Sequence, residues 1–252
     1  MAFIDCHFYS EVIGIASSMH VILPQTNQEH TSDKFPTLYL LHGLSDDHTM
    51  WMRRTSIERY ADKYQLAVVM PAVHRSFYTD MEKGYRYGTF IAEELPRLAQ
   101  AFFPLSRERE HNYIAGLSMG GYGALKMALS FPEKYSAAAS LSGVTDLCAL
   151  YEKYDTEEIR HIFGPLAELK GSKHDLFALA QTLATSQQVK PSLYQCCGTE
   201  DFLYDDNVRF RDYCQQIGVA LTYEEESGVH DWLYWDKQIE RVLEWLPLDE
   251  KS

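Results

Sequence analysis

The sequence predicts an α/β fold, with a mostly parallel central sheet of about eight strands and helices on both faces. Three observations carry this. Short apolar runs alternate with helix-like stretches along most of the 252 residues, the order that builds strand–helix–strand units. From Thr37 onward the strand-like runs are continuously apolar, as in TLYLLHG and LAVVMPAV, which is how strands covered on both faces read. No Gly/Ser-rich linker, repeat or low-complexity tract divides the chain, so one domain over residues 1–252 is expected. At this size roughly 70–75% of the unfolded chain's surface is buried on folding, and the core needs neither disulfide nor metal.

The strand-like runs are AFIDCHFYS, MHVILPQ, TLYLLHG, LAVVMPAV, NYIAGLS, YSAAASLSG, SLYQCCGTE and ALTYEEES. No helix separates the first two, so they are expected to pair as an antiparallel hairpin at one edge. SIERYADKYQ has helical spacing and good formers. FIAEELPRLAQAFF is periodic but holds Pro96, which predicts a kink or a restart there. MGGYGALKMALSF and DWLYWDKQIERVLEWLP read as helices, and YDDNVRFRDYCQQIG as one that stops at Gly218. Between residues 146 and 186 the alternation fails and the chain is helical in character. This stretch is expected to be a helical insertion over the C-terminal edge of the sheet, or a long crossover.

A net charge of −13 repels polyphosphate, which argues against nucleic acid and anionic membranes as partners. The start, MAFIDCHFYSEVIG, has no basic segment followed by an apolar one, and no later stretch offers 18 uncharged apolar residues. The expected location is therefore cytoplasmic. The five cysteines, Cys6, Cys148, Cys196, Cys197 and Cys214, are odd in number and irregular in spacing, against a disulfide framework. Cys196 and Cys197 read as small strand residues.

One stretch carries chemistry. In NYIAGLSMGGYGALKMAL, Ser118 sits in the pattern G-x-S-x-G, after an apolar run and before a helix. That is the context of a nucleophile elbow, where a sharp strand-to-helix turn exposes a serine oxygen. Such a turn strains the serine backbone, and bulky neighbours two residues either side would collide. Gly116 and Gly120 fit that need. Gly121, Gly123 and Ala124 keep the first helical turn thin, although each glycine costs about 1 kcal/mol against alanine. The other reading of Ser118 is a helix N-cap in a glycine-rich turn.

A serine hydroxyl needs a base and a group to orient that base. On this fold they follow in the order serine, acid, histidine. Three histidines lie downstream: His161, His174 and His230. The first two fall in charged parts of the helical stretch, whereas His230 follows a strand-like run and precedes a helix, where open α/β sheets carry their chemistry. His230 is the expected base. LYQCCGTEDFLYDDN offers Glu200, Asp201, Asp205 and Asp206. Asp201, just past the turn at Gly198, fits best, and Glu200 is second. Asp205 and Asp206 suit a helix start.

The oxyanion of acyl transfer needs two backbone N–H donors. One is expected from Met119, at a helix N-terminus, and the other from Leu44, after the turn at Gly43. Asp46, Asp47 and His48 are adjacent in SDDHTMW and cannot easily converge on one ion, so no metal is expected. Trp51, Trp232 and Phe163 are candidates for an acyl pocket, or for packing.

Taken together, LLHGLSDDHTMW, SFYTD, GLSMGGYGALKMAL, GTEDFL and GVHDWLYW resemble the esterase D group of α/β-hydrolases, from about Phe3 to Pro247. Within that group the sequence is most similar to bacterial tributyrin esterases. The resemblance implies the α/β-hydrolase fold, Ser118, Asp201 and His230 as triad, Leu44 and Met119 as oxyanion donors, and no cofactor. S-formylglutathione hydrolases usually show a cysteine shortly after the oxyanion glycine and leucine; this chain reads GLSDDH. The expectation is a serine esterase of short acyl esters with a small-molecule substrate, and a homo-oligomer is compatible with it. The alternatives are a sugar deacetylase, an S-formylglutathione hydrolase-like thioesterase and, more remotely, an inactive binding protein.

Overall fold

The computed structural model describes residues 1–25 and 34–248. In chain order the elements are β1 (Ala2–Ser10), β2 (Ile15–Leu23), β3 (Thr37–Leu41), α1 (Met50–Arg54), α2 (Ile57–Lys63), β4 (Ala67–Pro71), α3 (Tyr87–Thr89), α4 (Leu95–Phe102), β5 (Asn112–Leu117), α5 (Met119–Ser130), β6 (Ala137–Leu141), α6 (Leu147–Lys153), α7 (Glu157–Phe163), α8 (Leu176–Thr185), β7 (Ser192–Gly198), α9 (Tyr204–Gln216), β8 (Leu221–Glu226) and α10 (Trp232–Trp245).

The strands form one sheet in the order β1-β2-β4-β3-β5-β6-β7-β8. Pairing is parallel from β4 to β8, and β2 runs antiparallel to both neighbours. This is the α/β-hydrolase arrangement, with the first hairpin at one edge as expected. Both faces of the inner strands are apolar because both are covered. Leu38 and Leu40 of β3 join a core with Ile57 of α2 and Ile239 of α10. Tyr39 and Leu41 join the opposite core with Leu125 of α5 and Phe210 of α9. Edge strand β1 alternates exposed and half-buried residues instead.

Pro96 acts as expected, by a specific route. A π-helical turn, Phe90–Glu94, joins α3 to α4. Proline supplies no N–H to the carbonyl four residues back; that carbonyl, of Ala92, accepts from Lys134 Nζ at 2.7 Å. Gly218 ends α9 with φ +74°. The 146–186 stretch holds α6, α7 and α8 and no strand, but its parts differ. α6 and α7 reach over the strand ends, whereas α8 packs on α5 and α9 as an ordinary crossover helix does. No helix among the described residues is long and apolar enough to cross a membrane.

Candidate active site

The site lies where the parallel strands end. Among the described residues, six other than glycine adopt left-handed φ, and five of them (His74, Phe77, Tyr78, Ser118 and Ser142) lie in the loops after β4, β5 and β6. Such backbone costs energy and persists only where surroundings over-determine it.

Ser118 shows how. It has φ 52° and ψ −118° between β5 and α5. Its N–H donates to Leu141 O at 2.9 Å, and its carbonyl accepts from Tyr122 N–H at 3.1 Å and Val144 N–H at 3.2 Å. The flanking glycines are a matter of space. A Cβ on Gly116 would lie 2.4 Å from Gly120, and one on Gly120 would lie 2.4 Å from Leu41 O. Gly121 is pressed against Ser140 and Gly143, and Gly123 against the Tyr78 ring, so the thin first turn lets α5 lie on the sheet.

From 112 residues further on, His230 brings Nε2 to 3.0 Å from Ser118 Oγ. Its Nδ1 lies 2.8 Å from Asp201 Oδ2. Because the carboxylate only accepts, Nδ1 carries the proton and Nε2 is left to accept from the serine. The Asp201 side chain is fully buried, and its second oxygen accepts Leu203 N–H at 2.9 Å. The His230 ring is flanked by Phe202 at 4.5 Å and Trp235 at 4.8 Å between centroids. Glu200 does not reach the histidine. It accepts Gly228 N–H at 2.6 Å and so fixes the loop that carries His230. Asp205 and Asp206 fall in the first turn of α9.

Leu44 and Met119 both line the cleft beside Ser118. Met119 is the first residue of α5, so its N–H has no intrahelical acceptor. The loop before Leu44 is held from behind by His42. Nδ1 of His42 donates to Gly43 O at 2.8 Å, and Nε2 accepts Val73 N–H at 3.3 Å. Burial holds this imidazole down at about 4, so it stays neutral in the tautomer that both contacts require. Tyr78 Oη donates to His42 O at 2.8 Å. At Gly43 a Cβ would meet Leu117 Cδ1 at 2.7 Å and Asp46 Oδ2 at 2.9 Å. Burial pushes the Asp46 carboxyl up, opposed by hydrogen bonding at Gly43.

A cavity of about 350 Å³ opens from Ser118, with Phe77, Leu150, Ile159, Ile162 and Phe202 among its walls. Its two charged lining residues, Arg75 and Glu158, pair with each other, Arg75 Nη2 donating to Glu158 Oε2 at 2.8 Å. The α6–α7 wall belongs to the helical stretch expected over the strand ends, whereas Arg75 and Phe77 are brought to it only when α6 and α7 fold back.

Three aromatic candidates sit elsewhere. Trp51 is completely buried, with Nε1 donating to Leu41 O at 3.0 Å. Trp232 packs edge-on against it at 5.2 Å. Both belong to the core between the sheet and α10, not to the cavity wall. Phe163 packs against Phe77 and Tyr122, one layer behind it. His174 is buried rather than solvated, its ring beside Thr79 Oγ1 at 3.0 Å. Asp47 hydrogen-bonds Thr49, while His48 meets residues far away in sequence. Among the described residues, Asp5, His20 and His48 each bring one ligand atom within 4.8 Å of the others.

Known proteins of similar sequence and fold are esterases and serine hydrolases. The family model described as "Putative esterase" matches residues 10–246. An acetyl esterase of Caldicellulosiruptor saccharolyticus is 32% identical, over 98% of each chain. The substrate-bound structure of fluorophosphonate-binding serine hydrolase F of Staphylococcus aureus is 40% identical with a TM-score of 0.92, covering 97% of this chain and 98% of that one. The apoenzyme of an S-formylglutathione hydrolase from the same organism is also 40% identical, with a TM-score of 0.89 and the same coverage.

Proposed function

We propose that this chain, which belongs to that esterase family, is a serine carboxylesterase that hydrolyses short-chain acyl esters through Ser118, His230 and Asp201. The observation that carries this reading is the continuous relay Ser118 Oγ–His230 Nε2–His230 Nδ1–Asp201 Oδ2, with steps of 3.0 and 2.8 Å, opening on an apolar cavity.

In the first half-reaction His230 Nε2 takes the Ser118 proton as the oxygen attacks the ester carbonyl. Negative charge gathers on the former carbonyl oxygen, where the N–H groups of Leu44 and Met119 receive it. The tetrahedral intermediate collapses, His230 gives its proton to the departing alcohol, and the acyl group stays on Ser118. Water then enters, loses a proton to His230 and attacks the acyl-enzyme; the acyl–Oγ bond breaks, His230 returns the proton to Ser118 Oγ, and the acid leaves. Asp201 holds the tautomer and stabilises the imidazolium without being protonated.

The cavity supports a short acyl chain. Its 350 Å³ is at the small end of the roughly 300–1,000 Å³ that small-molecule sites span, and Ile159 and Ile162 are among its apolar walls. A cavity of this size and apolar lining supports the tributyrin-type reading. A second reading, thioester hydrolysis of S-formylglutathione, is favoured by the 40% identity to a protein of that activity. Glutathione carries carboxylates, however, and the guanidinium in this cavity is already matched by Glu158, which favours the uncharged ester.

Turnover of p-nitrophenyl acetate, butyrate and octanoate beside S-formylglutathione, with Ser118→Ala as control, tests both. The ester reading predicts kcat/KM highest for acetate or butyrate and abolished in the variant. A kcat/KM for S-formylglutathione far above every ester would move the assignment to the thioesterase. Equal rates for wild type and variant would end both.

A further inference from the structure

At the opposite, hairpin edge of the sheet, strand register places Asp5 directly across from His20. His20 Nε2 lies 3.6 Å from Asp5 Oδ1. The loop after β3 then lays the His48 ring edge-on against His20, with centroids 4.6 Å apart. His20 is only 8% exposed. Both His20 and His48 keep a buried Nδ1 with no hydrogen-bond partner among the described residues. A buried polar nitrogen without a partner needs an explanation, and a His–Asp contact through Nε2 accounts for neither.

We propose that Asp5, His20 and His48 bind a transition-metal dication of the zinc type, at a site separate from the cleft around Ser118. Two imidazoles and a carboxylate suit zinc, cobalt or nickel rather than magnesium or calcium. Ligand atoms of a tetrahedral site with bonds of about 2.0–2.1 Å lie about 3.4 Å apart. The present 4.8 Å closes by side-chain rotation, chiefly of His48 on its loop. His7 stands next to Asp5, outside the three converging groups. Its Nε2 is 3.3 Å from Asp5 Oδ1, and its Nδ1 is oriented by Ser18 Oγ at 2.9 Å. A bound ion ties the β1–β2 hairpin to the loop that carries Leu44 four residues before His48.

Chelator-stripped full-length protein titrated with cobalt(II), followed by visible absorption and then by zinc displacement, tests this. The expected result is saturation at one equivalent, ligand-field bands of a nitrogen–oxygen site, and no thiolate charge-transfer band. Asp5→Asn and His48→Gln, both outside the hydrophobic core, each weaken binding by about tenfold or more, while His230→Ala leaves it intact. Zinc raises the melting temperature of wild type and not of Asp5→Asn. Absence of saturable binding, a thiolate band, wild-type affinity in Asp5→Asn or in His48→Gln, or loss of binding in His230→Ala would each overturn the site. None of these readouts depends on esterase activity.

Discussion

The floor of the cleft is fixed by backbone atoms, and its roof by side chains. On the floor, Ser118 is pinned through its own N–H and carbonyl, Gly116 meets Gly120 at a distance no Cβ allows, and the His42 ring bonds to the main-chain groups of Gly43 and Val73. In the roof, Leu150, Ile159 and Ile162 touch the cavity through flexible apolar chains, and the ion pair that lines it, Arg75–Glu158, is half exposed at both ends. The floor suits a reaction whose geometry is shared by every ester. The roof suits the part of the substrate that differs between esters. Pocket shape can therefore change while the reacting atoms stay where they are.

The largest effect expected from breaking the floor is chemical. Ser118→Ala should lower kcat by about 10⁶ and Asp201→Asn by about 10⁴, read with p-nitrophenyl acetate, with KM little altered. Next comes the oxyanion loop. Gly43→Val pushes a side chain into Leu117 and Asp46 and should lower kcat by about 10²–10³, the loss of one donor. Leu44→Ala keeps its N–H and should stay close to wild type; the opposite ranking would count against a backbone donor at residue 44. Altering the roof should change selectivity rather than chemistry. Leu150→Phe should reduce butyrate turnover relative to acetate by about tenfold, the scale of 1–3 kcal/mol per methylene fitted or excluded.

The smallest effect is on stability against pH. His42 binds a proton near 6.5 when unfolded but only near 4 when folded. Between these values the unfolded chain binds more protons, so stability should fall as pH drops from 6.5 toward 4 and be fully retained above 6.5. Urea midpoints at pH 7 and pH 4.5 measure this, and His42→Gln should flatten the difference.

The floor was legible in the sequence because its determinants are local. GLSMGG crowds its glycines into the very turn that needs them, and strand–helix order leaves His230 as the histidine at a strand end. Asp201 could be separated from Glu200 only by position, and the two in fact divide the work, one on the imidazole and one on the loop beneath it. The roof was not legible, because helical spacing in 146–186 does not say which side of α7 meets Phe77. Trp51 misled for the same reason. It lies seven residues after Leu44, yet α1 turns it onto the opposite core. His48 was set aside from metal binding with its neighbours Asp46 and Asp47; its companions are cross-strand partners 28 and 43 residues earlier in the sequence, which only the hairpin register brings together.

The central claim is that Ser118 is activated by His230. Labelling the folded protein with an alkyl fluorophosphonate, followed by intact mass and peptide mapping, tests it most directly. A single adduct on the peptide containing Ser118, formed rapidly in wild type and hardly at all in His230→Ala, is the predicted result. An adduct on another residue, or equal labelling of Ser118 without His230, would contradict it.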